Sequence, residues 1–436
     1  MAAARVPALL TDRSFRRYWS AQTISMFGDQ ISSVAMPLAA VLLFKASAAQ
    51  MGYLTALMWL PSLLFGLHAG AWVDRHGRRR ATMIAADLGR FVILGSVPVC
   101  YGTGVLTLAQ MYAVAFGAGV LSVLFGVSDS TLFVSVVPPD RYVDGNSLIY
   151  ASRALSFVGG PSAGGLLVQL LTAPFAIAAD ALSFLGSALF LSRIRPAEPP
   201  PAQGGKGSVI AGARFIVRSP IIRASLCAIA TINFFNLAFI TLFTLYAVRS
   251  LHVIPGVLGV VLGSGAVGGL LGAAVTRRLH AAIGAGRAYV AGCVLFTTPL
   301  LLVPLAGGPR PLVLAMLFLA EFGSGTGVMI LDISIGSIFA AVIPGDLRAR
   351  VTGAFQAVNY GTRPLGALAA GGLATLTGLR PTLWLAADGA TLGVLWLLPS
   401  PLPRFRMPAG TSTNAKSQPR TQLKQAALTP DRDRPQ

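Results

Sequence analysis

Ten ionisable side chains stand inside long apolar runs of this 436-residue sequence: Asp29, Asp87, Arg90, Asp129, Arg153, Asp180, Glu321, Asp332, Arg363 and Asp388. A charge at the centre of a membrane helix costs about 2.5–3.5 kcal/mol unless it is paired or hydrated. Ten are too many for accidents, so most must face one another or a wet cavity. Carboxylates in such places take up protons or hold cations, and arginines neutralise them or hold anions. Asp29, between Gly28 and Gln30, reads as a proton or substrate-cation site, or as a structural acid bonded to Ser25 or Ser32. Glu321 precedes Gly323, Gly325 and Gly327, which allow close helix approach. It reads as a titratable carboxylate with Arg363 as its partner, or as half of a permanent ion pair. Arg153 faces an anionic substrate or pairs with Asp129. Asp87 and Arg90, three residues apart on one helix, share a face and read as a structural clamp.

Other chemistries find no support. Cys100, Cys227 and Cys293 are far apart, and His68, His76, His252 and His280 are scattered, so neither a metal site nor a disulfide framework is expected. The run Gly263-Ser264-Gly265-Ala266-Val267-Gly268 fits a dinucleotide fingerprint, but no strand precedes it. A phosphate-binding loop ending in Gly-Lys-Ser/Thr is absent. No enzyme activity, catalytic residue or cofactor is expected.

The elements that must carry these residues follow from composition. The chain is 54% hydrophobic and 11% charged, against roughly 25% charged in soluble domains. Most of its surface must therefore meet lipid. Apolar runs of about twenty residues, the length that crosses a bilayer, predict spans at 18–44, 51–73, 81–103, 107–134, 146–170, 174–192, 220–248, 256–277, 287–305, 311–340, 350–376 and 381–399. The runs do not alternate, which excludes a membrane barrel. No small-residue cleavage site follows the first run, so it is expected to stay in the mature protein. The net charge of +19 sits between the runs and predicts no nucleic-acid partner. Of the 34 Lys and Arg residues, 27 fall on one side of the alternating loops. Only Lys45, Arg249, Arg310 and Arg380 fall on the other. That bias predicts a multi-pass protein of the cell membrane with both termini cytoplasmic.

The chain repeats itself. At an offset of 206 residues, Val136, Pro138, Asp140, Gly160 and Gly165 match Val342, Pro344, Asp346, Gly366 and Gly371. Ala178-Ala179-Asp180 matches Ala386-Ala387-Asp388 at an offset of 208. Six spans separate the copies, so both halves have one orientation. The expected fold is all-α and integral to the membrane, with twelve transmembrane helices in two parallel six-helix repeats. Its parts are a first half over 1–193, a cytoplasmic linker over 194–219 rich in Pro and Gly, a second half over 220–399, and a polar, disordered tail over 400–436.

At these residues the chain resembles the major facilitator superfamily. GAWVDRHGRRR at 70–80 is similar to the family's signature loop between spans two and three, with Gly70, Asp74, Arg75, Gly77 and Arg78 in place. VGGPSAGG at 158–165 resembles the span-five signature of proton-coupled exporters, through Gly160, Pro161, Gly164 and Gly165. Span one and RPLGALAAGGL in span eleven are similar to the macrolide-efflux and enterobactin-exporter subgroup. One feature departs from drug antiporters: span four has no basic residue, only Asp129 near its inner end.

The resemblance implies a cavity lined by spans one, four, seven and ten, which puts Asp29 and Glu321 on its wall. It places Asp180 and Asp388 on the outer side of each half, in a duplicated architectural role. At the inner gate it sets Asp74 against the span-eleven start that carries Arg348 and Arg350. The implied function is a secondary active, proton-coupled exporter of an amphipathic small organic compound, such as an antibiotic, drug or siderophore. Its partners are that substrate, protons and the lipid bilayer, and it works as a monomer. The alternatives are a proton- or cation-coupled uptake symporter and a transport-inactive sensor.

Overall fold

The computed structural model describes residues 8–195, 209–344 and 347–406, with most of their side chains. Apart from short 3-10 turns, the described elements are α-helices. The first six are α1 (Arg13–Leu43), α2 (Ala48–His76), α3 (Arg79–Gly102), α4 (Leu108–Val136), α5 (Tyr142–Leu171) and α6 (Ala173–Ser192). A short helix α7 (Val209–Arg218) leads into α8 (Pro220–Arg249), α9 (Pro255–Ile283), α10 (Ala285–Thr297) and α11 (Leu302–Leu305). The chain ends with α12 (Arg310–Val342), α13 (Arg348–Thr377) and α14 (Leu379–Leu392). With no water in a bilayer core, backbone groups must be satisfied within each segment, and helices do that. Among the described residues, ten stretches are long and apolar enough to cross a membrane. The span through α10 and α11 is interrupted by a 3-10 turn at Thr298–Leu301, where Pro299 removes a backbone donor.

The last two helices fall outside those ten for separate reasons. The first sixteen residues of α13 include Arg348, Arg350, Gln356, Asn359 and Arg363. α14 has only 14 residues and continues as the 3-10 turn Gly393–Trp396.

The core explains the shape. At the end away from the termini, one apolar cluster spans both halves, with Val34, Leu38, Ile177 and Phe184 beside Phe239, Leu242, Val261 and Ala370. At the end that bears the termini the core splits in two. Phe15, Tyr18, Met83 and Leu132 form one part, in the first half. Ile222, Ile232, Tyr289 and Leu331 form the other, in the second. The halves are thus fused at the far end and have separate cores at the terminal end.

The two seams of the far end are related by the sequence repeat. A Cβ placed on Gly165 of α5 would lie 2.9 Å from Gly259 Cα of α9, and one on Gly52 of α2 would lie 3.0 Å from Gly371 Cα of α13. The repeat-matched Gly165 and Gly371 therefore serve opposite seams in the same way. Gly160 packs on α1 at Gln30 and Phe27, and its match Gly366 packs on α8 at Phe234. Thr172, φ 94°, and Gly378, φ 91°, make the same turn into α6 and α14.

Two expectations are corrected. The linker's end, Val209–Arg218, is a helix rather than a loop. Its apolar residues recur at helical spacing, and Ile216 is buried in the second-half core. The start of the tail is also folded: Leu402 is buried, and the Gly286 amide donates to the Phe405 carbonyl at 3.2 Å. Residues 407–436 and 196–208 lie outside the described residues.

Candidate transport site

Between the shared core and the two terminal-end cores lies a polar layer at mid-depth. In the first half it gathers Asp29 of α1, Asp87 and Arg90 of α3, and Asp180 of α6. Arg90 is buried between the rings of Phe125, 4.5 Å from its guanidinium carbon, and Phe184, at 3.9 Å. It contacts the Asp87 carboxylate and reaches Asp29 Oδ1 at 3.9 Å. Its Nη1 also reaches Ser122 of α4 at 3.5 Å, so α3 presents a cation to the span that lacks one of its own. Asp180 is buried and accepts a hydrogen bond from Ser183 at 3.2 Å. It packs on Gly28, whose missing side chain makes the room.

Asp29 differs from its neighbours. Its side chain is 49% exposed, while those of Asp87 and Arg90 are 0% and 2% exposed. α1 packs on α5 and α6 and touches α8 of the second half. One arginine among three carboxylates leaves an excess of acid, and Asp29 is the most exposed member of the group.

The second half is arranged differently. Glu321 lies beside α9, where a Cβ on Gly265 would stand 3.4 Å from Glu321 Oε2. Among the described residues it forms no ion pair with Arg363. The helices α12 and α13 are consecutive in sequence, yet α12 packs on α9 and α10 while α13 packs on α2 and α8. Arg363 instead lies over Trp59 of α2, 4.4 Å from its ring centre, and over Tyr360 at 5.0 Å. Trp59 and Tyr360 stack across the seam at 6.4 Å, and Asp332 is in electrostatic range of Arg363. The Asn233 amide donates to Asn359 at 2.7 Å between α8 and α13. The match between Asp180 and Asp388 in sequence does not extend to environment, since Asp388 is exposed. Phe235 packs on Gly389 in the second half, where the first half has Gly28 against Asp180.

Nearer the terminal end, Asp129 accepts hydrogen bonds from Tyr18, at 2.6 Å, and from Gln22. Arg153 is exposed, 5.9 Å from the Tyr150 ring centre and in electrostatic range of Asp129. In the signature loop, Gly77 (φ 64°) ends α2 in the left-handed conformation that glycine adopts without strain. Arg75 and Arg78 are exposed. Arg80 donates to the Leu191 and Ser192 carbonyls, and Arg17 to that of Arg193 at 2.6 Å. These arginines cap α6, whose last carbonyls lack helical partners. Gly70 and Asp74 lie outside the residues with described side chains. Arg348 donates to Ala340 of α12 at 3.1 Å, and Arg350 is exposed. The span-five glycines divide their work: Gly160 and Gly164 seat α5 on α1, and Pro161 and Gly165 meet Gly259 across the seam.

Sequence reasoning missed Asp180 as a member of the first cluster, and Trp59, Tyr18 and Gln22 altogether. The one available signal was Gly28, a small residue beside an acid that marks a close neighbour.

Comparison with known proteins agrees with this architecture. Solved structures similar to the chain include a bacterial homologue of the iron transporter ferroportin in an inward-facing state, with TM-score 0.71, 16% identity and 90% of this chain and 99% of that one covered. The nucleoside transporter NupG gives TM-score 0.70 at 12% identity over 89% and 98% of the two chains. At such identities the likeness is one of fold. The multidrug efflux pump Tap of Mycolicibacterium fortuitum is 29% identical over 400 residues, 87% of this chain and 93% of that one. Tap of Mycobacterium tuberculosis is 30% identical over 377 residues, 81% and 85% of the two. The family model of the Major Facilitator Superfamily matches residues 18–362. A repeated six-helix plan, a polar layer at mid-depth and a match over most of the length converge: this chain is a multi-pass membrane transporter that belongs to the major facilitator superfamily.

Proposed function

We propose that the protein is a proton-driven exporter of amphipathic small organic compounds. The observation that supports this best is Asp29, half exposed beside the buried Asp87, Arg90 and Asp180. The Tap relatives, named multidrug efflux pumps, support the direction. The distribution of basic residues puts the termini in the cytoplasm and the far end outside the plasma membrane. The split core then opens toward the cytoplasm, the side from which an exporter loads.

In this reading the two halves, 1–193 and 220–399, rock about the polar layer as a monomer. A proton on Asp29 removes the excess negative charge and lowers the cost of enclosing the site, which biases the closed arrangement. Glu321 is the matching carboxylate of the second half, and Arg153 and Arg363 meet polar parts of the substrate. When the terminal ends close, Asp74 meets the start of α13 near Arg348 and Arg350, and the helix N-terminus adds about half a positive charge.

Transport of a fluorescent amphipathic dye into proteoliposomes under an imposed pH gradient tests the coupling. Asp29→Asn is expected to lose uphill transport while retaining downhill exchange. If Asp29→Asn, Glu321→Gln and the double variant all drive the dye uphill at the wild-type rate, neither carboxylate couples protons.

A further inference from the structure

One cavity lies away from the polar layer. It has about 680 Å³ and lies at the far end of the second half, where α8 ends and α12 and α14 begin. A smaller one of about 180 Å³ adjoins it and shares His252 and Gly308. Arg380 and His252 line the larger cavity, and Arg310 and His252 the smaller. All three are exposed. Arg380 Nε donates to the Pro304 carbonyl at 2.7 Å, which holds the guanidinium at the rim with its two Nη nitrogens unbonded to any described residue. Arg310 makes no hydrogen bond to the described residues. His252, with φ 52°, a left-handed conformation that costs a non-glycine residue energy, lines both cavities.

No acid offsets these charges. The sequence has 15 acidic residues, and none lies in the connections of the far end. The first turns of α12 and α14 sit at the same cavity and add partial positive charge. The rest of the wall is mixed: Leu251, Val313 and Leu379 are apolar, and Tyr246 and Ser250 carry hydroxyls. The cavity stands at the helix ends, the level at which lipid headgroups lie.

We propose that these two adjoining cavities form a binding site for an anionic phosphate group, with Arg310, Arg380 and His252 as its ligands. Guanidinium forks match phosphate oxygens in pairs, and the apolar wall suits the glycerol end of a phospholipid. The two sources of such a group are the headgroup of an anionic lipid and free phosphate. The site is separate from the transport cleft and does not depend on the proton coupling proposed above.

The full-length protein in nanodiscs provides the test. Replacing phosphatidylcholine by a mixture with phosphatidylglycerol is expected to raise Tm by several degrees. Phosphatidylcholine carries the same phosphodiester, but with a cation that the basic wall disfavours. The rise is expected to disappear in Arg310→Gln and Arg380→Gln and to persist in Lys45→Gln, which removes a charge from the same face outside the cavity. Because the readout is the lipid-dependent shift, a general loss of stability in Arg380→Gln does not mimic the result, and Arg310 has no bond to lose. The same pattern with inorganic phosphate in neutral detergent would identify the free anion as the ligand. A shift of equal size in all four proteins, or no shift with either probe, overturns the site.

Discussion

At the scale of single residues, Arg90 holds the first-half cluster together. It is buried, stacked between two rings and bonded to Asp87. Removing one partner of a buried ion pair strands the other and costs about 3–5 kcal/mol. Arg90→Ala is therefore expected to lower the melting temperature in detergent far more than Asp29→Asn, whose carboxylate is already half exposed. Equal losses in the two variants would mean that Asp87 finds another partner. The Asp87–Arg90 spacing was legible because both residues sit on one helix face. Asp180 was not, because it reaches the cluster through tertiary packing across 151 positions of sequence. The expected Glu321–Arg363 pair failed for a related reason. The two residues lie on consecutive helices, but α12 and α13 pack chiefly on other helices.

At the scale of elements, glycine sets how closely helices meet. A leucine at Gly259 would push into the Pro161 carbonyl and the Gly165 backbone, and overpacking of this kind costs about 1–3 kcal/mol or more. Gly259→Leu is expected to part α5 from α9 at the far end. Spin labels at Thr172 and Ser250 should then report a longer distance than in the wild type, and an unchanged distribution would mean that the seam absorbs the side chain elsewhere. The matched glycines were visible in the sequence, and they located the repeat. Which faced its own half and which the opposite one was not visible, since a glycine carries no sign of its neighbour. The helix Val209–Arg218 was hidden by the Pro- and Gly-rich residues before it, and Leu402 by the polar tail that follows.

At the scale of the whole molecule, the proposed topology has an even number of crossings, and in that proposal the charge bias sets both termini in the cytoplasm. A cysteine at Gly308 is expected to react with a membrane-impermeant thiol reagent in intact cells, and one at Gly204 is not. The opposite labelling would invert the protein. The all-helical plan was legible from the apolar runs; among the described residues ten spans stand out, and α13 and α14, too polar or too short to stand out alone, are consistent with a twelve-span count.

The paired seams have a further consequence. Gly165 touches Gly259, which occupies the place of Gly52 in the other repeat, while Gly52 touches Gly371, which occupies the place of Gly165. When residue i of one copy meets j of the other, and j meets i, the contact is that of a twofold-symmetric dimer. Each half thus carries both faces of one self-complementary joint, and the covalent connection between them acts as a tether that raises local concentration, on the order of millimolar for a short flexible one. Two separately expressed pieces, 1–195 and 209–436, are accordingly expected to co-purify as a one-to-one complex, and their failure to associate would mean that the tether, rather than the joint, keeps the halves together.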